Sequence, residues 1–109
     1  MNLKEITLNY FTTFSNKDID GLRCLFSDDI YLRDWTVQRI GVDNVIGANK
    51  EIFDSVDTIT IIPIQICETE KLTMSEIVIN INNTETLNVV DIIEFDEEGK
   101  ICAVRAYKG

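Results

Sequence analysis

Histidine is absent from the 109-residue sequence. That removes the commonest general base near neutral pH and the commonest metal ligand. Acid–base work would fall to carboxylates, tyrosine, lysine or cysteine. Positive charge is scarce as well: 10 Lys and Arg stand against 19 Asp and Glu, a formal net charge of −9. No basic cluster offsets it, so the surface repels phosphate backbones and anionic membranes, and nucleic acid is not an expected partner. Only three cysteines occur, Cys24, Cys67 and Cys102, with no close pair. They read as reduced, buried and inert thiols of a cytosolic protein. The opening MNLKEITLNYF carries no apolar run long enough for a signal peptide or a membrane span, so a soluble, cytoplasmic protein with no membrane partner is expected. Proline appears once, at Pro63. No linker, internal repeat or low-complexity stretch divides the chain.

What is present is a globular composition, with 45% hydrophobic residues. A chain of this length makes one domain, 1–109, and buries roughly 60–70% of the surface it exposes when unfolded.

Along the chain, Leu3, Ile6, Tyr10 and Phe14 recur at three- and four-residue steps, one face of a helix over 2–15. Asp18 is an N-cap for a short second helix from Ile19 to Phe26, which Gly21 weakens and Ser27-Asp28-Asp29 closes with a turn. Residues 30–35 read as a strand: Ile30, Leu32 and Asp34 point one way, Tyr31, Arg33 and Trp35 the other. A loop containing Gly41 follows. Residues 47–56 suit a third helix anchored by Ile52 and Phe53. Four strands then follow, 58–67, 72–81, 86–95 and 100–107, with turns at Asn82-Asn83-Thr84-Glu85 and Asp96-Glu97-Glu98-Gly99. Helices first and a meander second predict an α+β fold with the helices packed on one face of the sheet.

One residue breaks its pattern. On the strand ending at Phe95, alternate positions put Leu87, Val89, Ile93 and Phe95 on one face, with Asp91 in their midst. Desolvation disfavours the charged form of an acid placed there, and a protonated carboxyl donates a hydrogen bond. Two structural readings compete with a functional one. In one the strand is an edge with Asp91 leaning into water; in the other Asp91 pairs with Arg105 or Lys108 on the next strand. Asp34 continues the Ile30–Leu32 face, and a strand-end acid also caps loops. Tyr10 lies on the inner face of the first helix, where core tyrosines are common.

The stretch Tyr10–Leu22 with Leu25-Phe26-Ser27-Asp28-Asp29, the pair Gly47-Ala48 followed by Ile52-Phe53, and the final hairpin Phe95–Ala106 resemble the nuclear-transport-factor-2-like superfamily. That group includes the SnoaL-like polyketide cyclases and the ketosteroid isomerases. The resemblance covers nearly the whole chain. It implies a curved antiparallel sheet with N-terminal helices packed on its concave face, a cystatin-like cone around one pocket. It also implies a catalytic trio. Tyr10 matches the isomerases' tyrosine, Asp34 their base and Asp91 their neutral acid. Phe14, Leu32, Trp35, Phe53, Val89, Ile93, Val104 and Lys108 would line the pocket. Asp34 would move a proton next to a carbonyl, and Tyr10 and protonated Asp91 would donate to the enolate oxygen, without metal or organic cofactor. Lys108 stands where the isomerases offer an aromatic, which implies a more open and polar pocket and a smaller ligand.

Three functions are compatible with this reading. One is an isomerase- or cyclase-like enzyme for a small hydrophobic or carbonyl-containing ligand. The second is a ligand-binding domain without chemistry, and the third is a protein-interaction module in which Trp35 belongs to an exposed patch. The outer sheet face, expected to carry Val90, Ile92, Ile101, Ala103 and Tyr107, predicts a homodimer.

Overall fold

A computed structural model describes residues 2–109. Helix α1 spans Leu3–Ser15, α2 Ile19–Leu25 and α3 Val42–Ser55; the strands are β1 Phe26–Arg33, β2 Gln38–Ile40, β3 Ile59–Glu68, β4 Leu72–Ile81, β5 Glu85–Phe95 and β6 Ile101–Lys108. All six strands join one sheet in the order β2-β1-β6-β5-β4-β3. Every pairing is antiparallel except that of β1 with β6. This is the α+β cone expected from the sequence.

The side chain of Asn2 caps α1 by accepting from the backbone of Glu5, and Leu3, Thr7, Tyr10, Phe11 and Phe14 form its buried face. Asp18 caps α2 through the backbone N–H of Gly21. Gly21 is more than a weak point in that helix. A Cβ there would lie 2.8 Å from Thr13 Cγ2 and closer still to Asp18 Oδ2, so the glycine lets α2 approach α1. Lys17 turns the chain after α1 with φ 55°, and its ammonium donates to the carbonyls of Phe53, Val56 and Asp57. One cation thus closes the C-terminal end of α3, where carbonyls lack helical partners and the helix dipole is negative.

Four local readings need correction. Ser27-Asp28-Asp29 does not form a turn; the strand begins at Phe26, which pairs with Ile101 of β6, and these three residues lie in the register shift before Tyr31 rejoins the ladder. The stretch after residue 35 contains β2, whose three residues pair with β1 and whose Ile40 carbonyl accepts from Asn44 Nδ2 of α3. Helix α3 begins at Val42, five residues before Gly47. The thiols are not all buried: Cys24 and Cys67 are exposed and Cys102 is half-buried. Cys24 lies on a helix that buries only Leu22, and Cys67 near the end of the edge strand β3. Pro63 also sits on that edge, at a break in register, where a missing N–H costs least.

The core fills the space between the concave face of the sheet and helices α1 and α3. On β5 the buried positions are Val89, Asp91, Ile93 and Phe95. The opposite face keeps Ile62, Met74, Val90 and Tyr107 exposed. Ile101 is absent from that outer face. A register shift between Glu94 and Phe95 pairs it with Phe95, and it is fully buried. Among the described residues no helix is long and apolar enough to cross a membrane.

Candidate active site

A cavity of about 250 Å³ lies between α1, α3 and the sheet. Tyr10, Asp34 and Asp91 all lie on its wall. They come from three elements far apart in sequence: α1, the loop after β1, and β5.

Asp91 is 5% exposed. Its strand lies between β4 and β6, so it is not on an edge. Arg105 pairs with Glu94 instead, and Lys108 sits elsewhere, so among the described residues no cation is bonded to Asp91. Both structural readings of this acid therefore fail. Its ladder partners are Ser75 on β4 and Ala106 on β6. Both are small, so neither covers the carboxyl. Burial, and secondarily the charge of Asp34, push the Asp91 pKa up to about 7, from 3.8 for an ordinary aspartate. Near neutral pH a large share of this carboxyl is protonated and able to donate.

Tyr10 is held by aromatic neighbours. Its ring centroid lies 5.7 Å from that of Phe11, 6.1 Å from Phe14 and 6.0 Å from Phe26. Burial, and then the nearby Asp91 carboxyl, hold its phenol well above the usual tyrosine range, so it stays protonated as a donor.

Asp34 plays the loop-capping part that strand-end acids often play. Its Oδ1 accepts from Thr36 N at 2.7 Å, Val37 N at 2.8 Å and Thr36 Oγ1 at 3.1 Å. That grip fixes the carboxylate at the cavity edge and leaves Oδ2 without a protein hydrogen bond among the described residues. Loop-capping and facing the cavity are thus compatible.

The expected pocket wall divides in two. Phe14, Leu32, Trp35 and Val104 line the cavity. Trp35 does so although strict alternation sends it to the other face, because β1 ends at Arg33 and the chain turns over Asp34–Val37. Phe53, Val89, Ile93 and Lys108 do not. Phe53 is one layer behind, edge-on to Phe14 at 4.8 Å. Val89 and Ile93 flank Asp91 on β5 and are buried in the core. The Lys108 ammonium stands 5.9 Å from the centre of the Trp35 ring, a cation–π contact at a side chain that is 43% exposed.

The wall also includes residues that sequence reasoning missed: Thr36, Asn49, Ser55 and a rim of Val56, Ile59, Ile61, Ile79, Ile81 and Leu87. Asn49 is 3% exposed, and its Nδ2 has no hydrogen-bond partner; the Ser75 hydroxyl, opposite Asp91, is equally buried and unpartnered. A polar residue on the buried stripe of α3 was the available signal. A wider groove of about 530 Å³ between Phe26–Asp29 and Asp96–Lys100 is open and acidic, and neither of the two orphaned polar atoms lies on it. Among the described residues no group of three or more Cys, Asp or Glu is placed to hold a metal ion.

Comparison with known proteins agrees with this architecture. The SnoaL-like domain model matches residues 8–104. No curated protein matches the sequence. A provisionally assigned SnoaL-like polyketide cyclase from Shewanella denitrificans superposes with a TM-score of 0.88 at 13% identity, covering 98% of this chain and 90% of the other. A provisionally assigned ketosteroid isomerase from Kribbella flavida gives 0.86 at 14% identity, over 98% and 77%. An NTF2-like protein of unknown function from Cytophaga hutchinsonii gives 0.84 at 10% identity, over 100% and 91%. At such identities the structures speak for the fold alone. The family match spans most of the chain, and the protein belongs to the SnoaL-like family, with an NTF2-like, ketosteroid isomerase-like fold.

Proposed function

We propose that this protein is an isomerase- or cyclase-like enzyme that moves a proton next to a carbonyl of a small, largely apolar ligand. Asp34 takes the proton through Oδ2 and returns it to another carbon. Tyr10 and protonated Asp91 donate hydrogen bonds to the oxygen as it becomes an enolate. Donors aimed at a developing oxyanion in a water-poor site are the largest single contribution in such reactions. Asp34 keeps its geometry because three loop donors grip its other oxygen.

The observation that carries the proposal is Asp91: a buried acid on a central strand, with no cation bonded to it among the described residues, facing a cavity beside Tyr10. Such an acid costs stability and needs a use. The cavity is small. At about 250 Å³ it lies at the lower edge of small-molecule sites, which run from roughly 300 Å³ upward. That favours a ligand below steroid size.

Phenols of graded acidity test the proposal, because a phenolate mimics the enolate oxygen. Expected is binding as the phenolate, weakened by Tyr10→Phe and by Asp91→Asn. Equal binding by both variants would sink the oxyanion site. A ligand-binding domain without chemistry is the alternative reading, favoured by the commitment of Asp34 Oδ1 to its loop. In that case Asp34→Asn changes affinity and no turnover of unsaturated ketones exists to be lost.

The exposed outer face of Ile62, Met74, Val90 and Tyr107 supports a homodimer across the sheet. Sedimentation as a monomer at micromolar concentration would contradict it.

A further inference from the structure

Asn49 belongs to the cavity wall, yet the proton transfer proposed above makes no use of it. It stands on α3, an element that supplies none of Tyr10, Asp34 or Asp91. It is nearly fully buried, and its Nδ2 has no partner. Packing does not account for it, since a buried amide without a hydrogen bond is costlier than an apolar side chain of the same shape. Helix formation does not account for it either, since asparagine is a poor helix former. Among the described residues one other buried side-chain atom is orphaned, the Ser75 hydroxyl across the ladder from Asp91. Of these two groups, Asn49 is the one that lies on the cavity wall.

We infer that Asn49 is a specificity residue, whose carboxamide bonds a second oxygen of the ligand. The ligand class is then a small carbonyl compound that carries a further hydroxyl or carbonyl. A carboxamide offers a donor and an acceptor, and a half turn about χ2 exchanges them, so either oxygen function is satisfied. Anchoring at two walls fixes the ligand's orientation relative to Asp34, which an apolar cavity alone does not do. This inference rests on the oxyanion reading of Tyr10 and Asp91.

Matched phenols separate the two ideas. Cresols and dihydroxybenzenes have nearly the same shape and differ by methyl against hydroxyl. Their binding is measured by calorimetry to the native protein, Asn49→Leu, Asn49→Ala and Tyr10→Phe. At least one dihydroxybenzene is expected to bind the native protein roughly 5- to 10-fold more tightly than its matching cresol, the yield of one hydrogen bond. Asn49→Leu and Asn49→Ala should erase that preference, and cresol affinity for Asn49→Leu should hold or rise. The free Asn49→Leu protein should melt at or above the native temperature, which a structural amide would not allow. A preference that is absent from the native protein, or that survives both Asn49 variants, overturns the inference. So does a lower melting temperature for Asn49→Leu. Phenols that require Tyr10 but ignore Asn49 remove this inference alone. If no phenol binds, or Tyr10→Phe is without effect, the oxyanion reading falls and takes this inference with it.

Discussion

Two buried polar pairs stand two positions apart on the inner face of β4, and they are built in opposite ways. Thr73 meets Thr7 of α1; both are fully buried, and their hydroxyls lie 2.8 Å apart. Ser75 meets Asp91 across the ladder; its hydroxyl is unpartnered, and Asp91 looks into a cavity. The first pair is satisfied within the chain and ties a helix to the sheet. The second leaves the Asp91 carboxyl on the cavity wall, where a ligand or a proton can satisfy it. Polarity inside a core is not itself a functional sign; a missing partner is.

That contrast can be broken at several points. The largest expected effect is on catalysis. Asp34→Asn should lower turnover of an unsaturated ketone substrate by about 10²- to 10⁴-fold, the usual contribution of a general base, while phenolate affinity changes little. Steady-state rates beside calorimetric affinities check this. A parallel loss of both would make Asp34 a binding residue.

The next effect concerns pH. The Asp91 pKa is raised in the folded chain, to about 7 against 3.8. A raised acid contributes its full stability below about pH 4 and loses it as pH climbs through about 7. The groups facing it are Tyr10 from α1 and Asp34 from the loop after β1, and the charge of Asp34 deepens the loss. Asp91→Asn should therefore be more stable than the native protein at pH 8 by a few kcal/mol, with the gap closing toward pH 4. Urea midpoints across that range give the answer, and a gap independent of pH would mean that Asp91 ionises freely.

The smallest effect sharpens the other side of the comparison. Thr7→Val leaves the Thr73 hydroxyl buried and alone, at a cost of about 1–3 kcal/mol, whereas Thr7→Val with Thr73→Val should be close to neutral. Additive losses in the double-mutant cycle would show that the pair is not self-contained.

Much of the site was legible because it violates local rules. Asp91 interrupts a run of alternating apolar residues, and that needs no tertiary knowledge to notice. Tyr10 shares a helical stripe with Leu3 and Phe14, and both ends of β4 are clear from its β-branched alternation. Asn82 and Asn83 make a hairpin without glycine because both adopt positive φ, and Asn82 also accepts from Asp57 N and Thr58 N. Other parts left no local mark. β2 has three residues and is set by its ladder with β1. The acidic start of β1 looks like a turn until Phe26 before it and Tyr31 after it are paired with β6, a partner some 75 residues further on from Phe26.

The sequence by itself determined the α+β class, the helical stripe of α1, the order of the last four strands and the misplaced acid at position 91. These follow from periodicities of 3.6 and 2, which any stretch of chain carries within itself. Tertiary structure alone decided that, among the described residues, Asp91 has no bonded cation and Asn49 Nδ2 no partner, and that Trp35 reaches the cavity while Phe53 stays behind Phe14. Whether a polar group is satisfied depends on which residues from distant segments come within about 3 Å of it. Only the closed sheet and the helices packed on it set those distances.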